Sequence, residues 1–143
     1  MIKTESLIEL YNKNKSMTKK IVNSKLAPKE IGPYNQAVKF GDLVFTSGQI
    51  ALDLDGNLVN TDITAETKQV FSNLEHVLNA SGLNFEHVLK VSIFLKDMNQ
   101  FETVNKVYST YFNPDEAPAR ETVQVAKLPK DVNIEISMIA GKF

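Results

Sequence analysis

Two periodicities organise the chain. Thr122 to Ala126 alternates, with Val123 and Val125 on one side and Thr122 and Gln124 on the other. Asn133 to Ala140 alternates as well: Ile134, Ile136, Met138 and Ala140 share one face, Asn133, Glu135 and Ser137 the other. Period 2 with β-branched residues predicts strands with one apolar face, and Pro129–Lys130–Asp131 supplies the break between them. His87 to Lys96 predicts a third strand, with Leu89, Val91, Ile93 and Leu95 on one face and Lys90, Ser92, Phe94 and Lys96 on the other. Nearer the N-terminus, Lys19 to Ala27 is strand-like until Pro28. Gln36–Phe40 and Leu43–Ser47 flank the hairpin signal Gly41–Asp42. Gly48 interrupts the second of these, as a bulge or a close approach to the backbone would require. Asp55–Gly56 marks a turn before Asn57–Val59.

Between the strands the period changes to that of a helix. Val70, Leu74, Val77 and Leu78 form a stripe that predicts a helix over Ala65–Ala80, with Thr64 as N-cap, Glu66 in the first turn and Gly82 as the stop. A second helix is predicted over Gln100–Phe112, opened by Asn99 and Glu102 and followed by Pro114. The order strands, helix, strand, helix, two strands predicts a two-layer α+β domain, both helices covering one side of a mixed sheet. Extended backwards, the Thr122 strand puts Arg120 in step with Thr122 and Gln124. These, with Phe94, Glu135 and Ser137, are expected on the side away from the helices. So patterned a face predicts packing against another subunit.

Residues 1–16 stand apart as an N-terminal extension, expected to be flexible or to dock elsewhere, before a single domain over 17–143. Ser6 and Glu9 have the spacing of a capping box, and Leu7, Ile8, Leu10 and Tyr11 that of a short amphipathic face. The 143 residues suit one domain, and the net charge of −1 gives no electrostatic case for nucleic acid or an anionic membrane surface. No apolar run approaches the ~20 residues that cross a bilayer. There is no cysteine, which removes disulfides, thiolate catalysis and zinc–sulfur sites. A cytoplasmic location is expected; the N-terminal segment leaves a mitochondrial address open, although it carries acids and no arginine.

The cations are fifteen lysines and one arginine, Arg120. Arginine differs from lysine in its planar fork of donors, which meets a carboxylate or phosphate bidentately. Arg120 therefore reads either as a structural salt bridge or as an anion clamp. His76 and His87 lack partners at metal-site spacing and read as structural. With no nucleophile–histidine–acid order and no phosphate-binding glycine loop, any catalysis falls to Arg, Glu, Tyr, Asn, hydroxyls and backbone.

Several motifs, in one order, resemble the RidA/YjgF family of reactive-imine deaminases: IGPYNQAV (Ile31–Val38), LVFTSGQI (Leu43–Ile50), VNKVY (Val104–Tyr108) and PAR…VAKLPKD…IEI…IA from Pro118. The resemblance runs from about Lys19 to the C-terminus. It implies a chorismate-mutase-like fold, a homotrimer with sites at the subunit clefts, and hydrolysis of 2-iminobutanoate and 2-iminopropanoate to keto acids and ammonia, without metal or organic cofactor. By matched motif, Arg120 grips the substrate carboxylate and Glu135 holds and activates water. Tyr34, Ser47, Gly48, Asn105 and Thr122 line the cleft. Where the family often has serine after PAR, this chain has Glu121, whose parity points it away from Arg120. Plainer readings stand beside these: Tyr34 packing a turn, Asn105 facing solvent, Glu135 paired with a lysine. A carboxylate-binding trimer without turnover and an RNA-cleaving or translation-inhibiting activity are the alternative functions, the charge balance counting against the latter.

Overall fold

The computed structural model describes residues 6–15 and 17–143. Helix α1 (Leu7–Lys15) is opened by a reciprocal cap: the Ser6 N–H donates to Glu9 Oε2 (3.0 Å) and the Glu9 N–H to Ser6 Oγ (3.2 Å). Leu7, Ile8, Leu10 and Tyr11 are exposed on it. The domain proper is a six-stranded sheet: β1 (Lys19–Val22), β2 (Ala37–Phe40), β3 (Leu43–Thr46), β4 (Val88–Leu95), β5 (Ala119–Gln124) and β6 (Ile134–Gly141). Its order is β1-β2-β3-β6-β4-β5, antiparallel except for the parallel pair β4–β5. The longest helices of the domain, α2 (Ile63–Ala80) and α3 (Phe101–Tyr108), cover one face. This is the mixed two-layer α+β arrangement. Among the described residues, no helix is long and apolar enough to cross a membrane.

The core lies where the apolar stripe of α2 (Val70, Leu74, Val77, Leu78) meets Val91, Ile93 and Leu95 of β4 and Ile134, Ile136 and Met138 of β6. Phe71 joins it to α3 and the chain beyond, stacking on Tyr111 at 4.2 Å between ring centroids. Helix α2 starts earlier than predicted because Asp62, not Thr64, is the N-cap: its carboxylate accepts from the Ala65 N–H at 2.7 Å. Helix α3 is shorter than predicted. A single tight turn, Met98–Gln100, precedes it, and Asp97 rather than Asn99 caps that turn. The hairpin β2–β3 closes through Gly41 at φ 59°, a left-handed value that glycine takes without a Cβ clash.

Two expectations about faces are overturned. The register sets Arg120 beside Val91, Thr122 beside Ile93 and Gln124 beside Leu95, all on the helix-covered side. The alternation of β5 holds but its direction is reversed: Val123, expected to face the helices, is exposed on the open face. The second correction is a bulge between Val88 and Lys90, which turns Val88 into the core and leaves Leu89 46% exposed. With Arg120, Thr122 and Gln124 removed, the open face is more apolar than predicted. Ile21, Val38, Phe45 and Ile139 form a row across four strands, and Glu135, Phe94 and Val123 form a second row, in that order across β6, β4 and β5.

Candidate active site

The residues singled out by sequence fall into two groups on opposite sides of the sheet. The first is built on β5 and α3. Arg120 Nη1 donates to Asn105 Oδ1 at 2.6 Å, and the guanidinium carbon lies 4.5 Å from the centroid of the Tyr108 ring and 5.6 Å from that of Phe101. Asn105 and Tyr108 sit three residues apart on α3, so one helical face presents both to the arginine. Asn105 is thus neither solvent-facing nor idle: it fixes the plane of the fork. The ion pairs among the described residues include Lys90–Glu121 and Lys96–Asp131, and Arg120 is in neither. Its structural partners are a neutral amide and two π faces, leaving donors for an external anion. Glu121 points away, as its parity predicts, and is held by Lys90 (3.3 Å) and by the Ser92 hydroxyl, which donates at 3.1 Å.

Thr122 shares the face of Arg120, and its hydroxyl is buried without a hydrogen-bond partner in the structure. The Tyr108 hydroxyl is in the same condition. Burial pushes the Tyr108 phenol up, and the positive charge of Arg120 offsets part of that rise. Buried hydroxyls left open are uncommon and mark places where water or a ligand completes the bonding. Sequence reasoning singles out Thr122 but misses Tyr108. Its spacing from Asn105 on the predicted helix is the available signal.

The second group is built on β6 and the chain around β3. Glu135 lies on the open face beside Phe94 and is half-buried against Gly48. A Cβ placed on Gly48 would fall 2.7 Å from Glu135 Cδ and 2.9 Å from both its Cγ and Oε1, so the close approach predicted at Gly48 is to this carboxylate. Burial pushes the Glu135 carboxyl above the ordinary glutamate range, and no lysine pairs with it among the described residues. Ser47 is engaged in holding the chain: its hydroxyl donates to the Asn35 carbonyl at 2.6 Å and its N–H to the Gln36 carbonyl at 2.9 Å. Tyr34 does pack a turn, its hydroxyl accepting from the Ile31 N–H at 3.2 Å, yet it is 48% exposed and lines a cavity shared with Gly48.

One further residue controls this half from behind. Glu66 is fully buried, and both its oxygens are taken by Asn133, whose backbone N–H and Nδ2 donate at 2.8 Å each. That clamp sets the entry into β6 two residues before Glu135. Glu66 stands four residues before Val70, on the apolar stripe itself, and that position is the signal that it is more than a first-turn charge.

Similarity to known proteins decides the family. The family model described as Endoribonuclease L-PSP matches residues 24–142. A RutC family protein of Pyrococcus abyssi is 45% identical over 127 residues, 88% of this chain and 99% of that protein. The 2-iminobutanoate/2-iminopropanoate deaminase of Salmonella typhimurium is 43% identical over 123 residues, 85% of this chain and 96% of that protein. This chain belongs to the RidA/YjgF family. Solved structures agree: that of E. coli TdcF with bound serine superposes with a TM-score of 0.81 at 39% identity, over 87% of this chain and 99% of that one. Yeast Mmf1 gives 0.85 at 37% identity, over 88% of this chain and 100% of that one. Within the family the names divide between imine deaminases, RutC proteins and endoribonucleases.

Proposed function

We propose that the protein hydrolyses 2-imino acids, 2-iminobutanoate and 2-iminopropanoate among them, to 2-keto acids and ammonia. The observation that carries this reading is Arg120: the chain's one arginine, oriented by Asn105 and Tyr108, with no carboxylate of its own among the described residues. A free, oriented fork suits a small carboxylate, and the deaminase names of relatives supply the class of reaction. Serine bound to TdcF is a carboxylate of this size.

In this mechanism Arg120 holds the substrate carboxylate through two charge-assisted hydrogen bonds, each worth about 1.5–3 kcal/mol. Glu135, with its raised proton affinity, takes a proton from water as the oxygen bonds to the imine carbon, and passes that proton to the imine nitrogen. The resulting carbinolamine collapses: Glu135 takes the proton of its hydroxyl as the C=O bond forms and delivers it to the nitrogen as the C–N bond breaks, and ammonia and the keto acid leave. Positioning supplies most of the acceleration, since imines already hydrolyse in water.

Arg120 and Glu135 face opposite sides of the sheet, so the reading requires that one subunit supplies the arginine and another the glutamate. A homotrimer with sites in its clefts meets that requirement, and the apolar row on the open face supports such packing. The test is ammonia release from enzymatically generated 2-iminobutanoate, for the parent and for Arg120→Lys. Lysine keeps the charge but loses the fork, with an expected fall of roughly ten- to a hundredfold for one lost bond. Parent-like turnover by Arg120→Lys would sink the assignment of Arg120. Keto-acid binding by the parent without ammonia release would favour a carboxylate-binding protein instead.

A further inference from the structure

We propose that helix α1 and the hairpin end of the sheet form a docking surface for an anionic lipid membrane. The inference goes beyond the imine-hydrolase reading, because α1 lies ahead of the family match, which begins at residue 24.

Helix α1 is capped at its start by the reciprocal pair Ser6 and Glu9, and its apolar side is left open. Leu7, Ile8, Leu10 and Tyr11, at positions i, i+1, i+3 and i+4, share that side and are 86, 71, 44 and 67% exposed.

The overall charge of −1 hides an uneven distribution. Residues 1–20 hold five lysines against two glutamates, and the other 123 residues hold eleven cations against fifteen acids. The fold brings further lysines to the same end. Lys19 and Lys20 open β1 and pair with Phe40 and Lys39, beside the Gly41–Asp42 turn. Lys142 is held there too, its N–H donating to the Asp42 carbonyl at 2.9 Å. Met17, between α1 and β1, reaches the same turn: a Cβ built on Gly41 would fall 3.2 Å from its Sδ. Lys19, Lys20 and Lys142 are exposed and Lys39 is half-exposed, with Asp42 the acid of the turn.

Length and charge select a lipid surface over a protein groove. A helix in a groove is held by anchors that recur over two turns, at i, i+4 and i+7. Here the positions seven after Leu7 and Ile8 are Asn14 and Lys15. A bilayer interface accepts a short apolar arc, seats a tyrosine at its edge and leaves lysines among the headgroups. Each lysine close to an anionic leaflet strengthens binding about fivefold, so the excess of three positive charges in residues 1–20 predicts roughly a hundredfold. In the proposed homotrimer the three-fold axis sets three copies of α1 at one level, and a flat surface meets all three together.

The experiment sediments the full chain with vesicles of phosphatidylcholine, with and without phosphatidylserine, at low and high salt. The expected result is binding at least about a hundredfold tighter to the vesicles that contain phosphatidylserine, lost at high salt. Lys19→Gln/Lys20→Gln should weaken it by roughly twentyfold. Leu7→Gln/Ile8→Gln should weaken it by at least about tenfold with melting unchanged. Both double variants should release ammonia from 2-iminobutanoate like the parent, so a negative vesicle result leaves the hydrolase reading standing. No binding to the phosphatidylserine vesicles at low salt, or parent-like binding by Leu7→Gln/Ile8→Gln, overturns the proposal. A lowered melting temperature of that variant also overturns it, by showing that the arc packs on the domain. A photo-crosslinking residue at Tyr11 separates lipid from protein in cells: adducts in the lipid fraction are expected, and a single protein adduct in their place assigns the arc to a groove and overturns the membrane.

Discussion

Gly48→Ala isolates the contribution of the Glu135 carboxylate more cleanly than removing the carboxylate does. The backbone at Gly48 is outside the left-handed region, so alanine brings no φ strain there. What it brings is a methyl 2.7 Å from Glu135 Cδ and 2.9 Å from Oε1. Carbon atoms pack at ~3.5–4.0 Å, so the carboxyl group must retreat by about 1 Å. The group that yields is the end of a flexible side chain. Its off-rotamer cost is about 0.5–1.5 kcal/mol, and the lost freedom of glycine in the unfolded chain offsets about 0.4–1 kcal/mol of that. Melting should therefore move little. Turnover should not be spared: a ~1 Å displacement of a positioned base costs about a hundredfold, or ~2.7 kcal/mol of barrier. The assay is ammonia release from 2-iminobutanoate for Gly48→Ala, Glu135→Gln and the double variant, alongside thermal melts. If displacement is the whole effect, the double variant is no slower than Glu135→Gln alone. A Gly48→Ala protein that melts and turns over like the parent would refute the reasoning.

Other outcomes follow from the same contacts. Burial raises the Glu135 pKa in the folded protein, so the folded state holds that proton more tightly than the unfolded chain. Stability from this group falls as pH rises from the ordinary glutamate value through the raised one; Glu135→Gln should gain in melting temperature over the parent at neutral pH and lose that gain in acid, while the parent's activity rises across the same window. Tyr108→Phe keeps the ring under Arg120 and should change keto-acid affinity less than Tyr108→Leu, which removes the platform; calorimetric titration with 2-ketobutyrate separates them. Glu66→Gln turns one acceptor of the Asn133 clamp into a donor and should cost about 1–3 kcal/mol, read in urea unfolding. Removing residues 1–16 should leave the melting temperature nearly that of the parent, and light scattering on both proteins should give the mass of three chains.

Much of the architecture can be read from alternation and stripe. The apolar face of α2 and the inward set of β6 follow directly from residue spacing, because burial on one face leaves a periodic trace. Alternation says which residues share a face, however, not where that face points. In β5 and the residue after it, Val123 and Val125 are the obvious inward pair. The strand lies parallel at the sheet edge under α3, and there Asn105 and two aromatic rings accommodate Arg120 on the covered side. Leu89 is misplaced for a related reason: a one-residue bulge changes the parity, and no proline or glycine announces it. The caps fail by proximity, since Asp62 and Thr64 are both good N-caps and only geometry chooses. The site residues are legible as types, the lone arginine above all. Their division between two faces is not, because it depends on that same direction of β5.

That division has a genetic consequence. A chain lacking Arg120 and a chain lacking Glu135 carry different defects, and each retains the part the other has lost. In the proposed ring of three, such chains co-expressed in equal amounts and assembled at random should form mixed particles in which about one cleft in four pairs an intact arginine with an intact glutamate. Two inactive alleles would then complement each other inside a single oligomer. In that proposed assembly a variant of either residue would also be partly dominant, since each altered chain would impair clefts shared with normal neighbours.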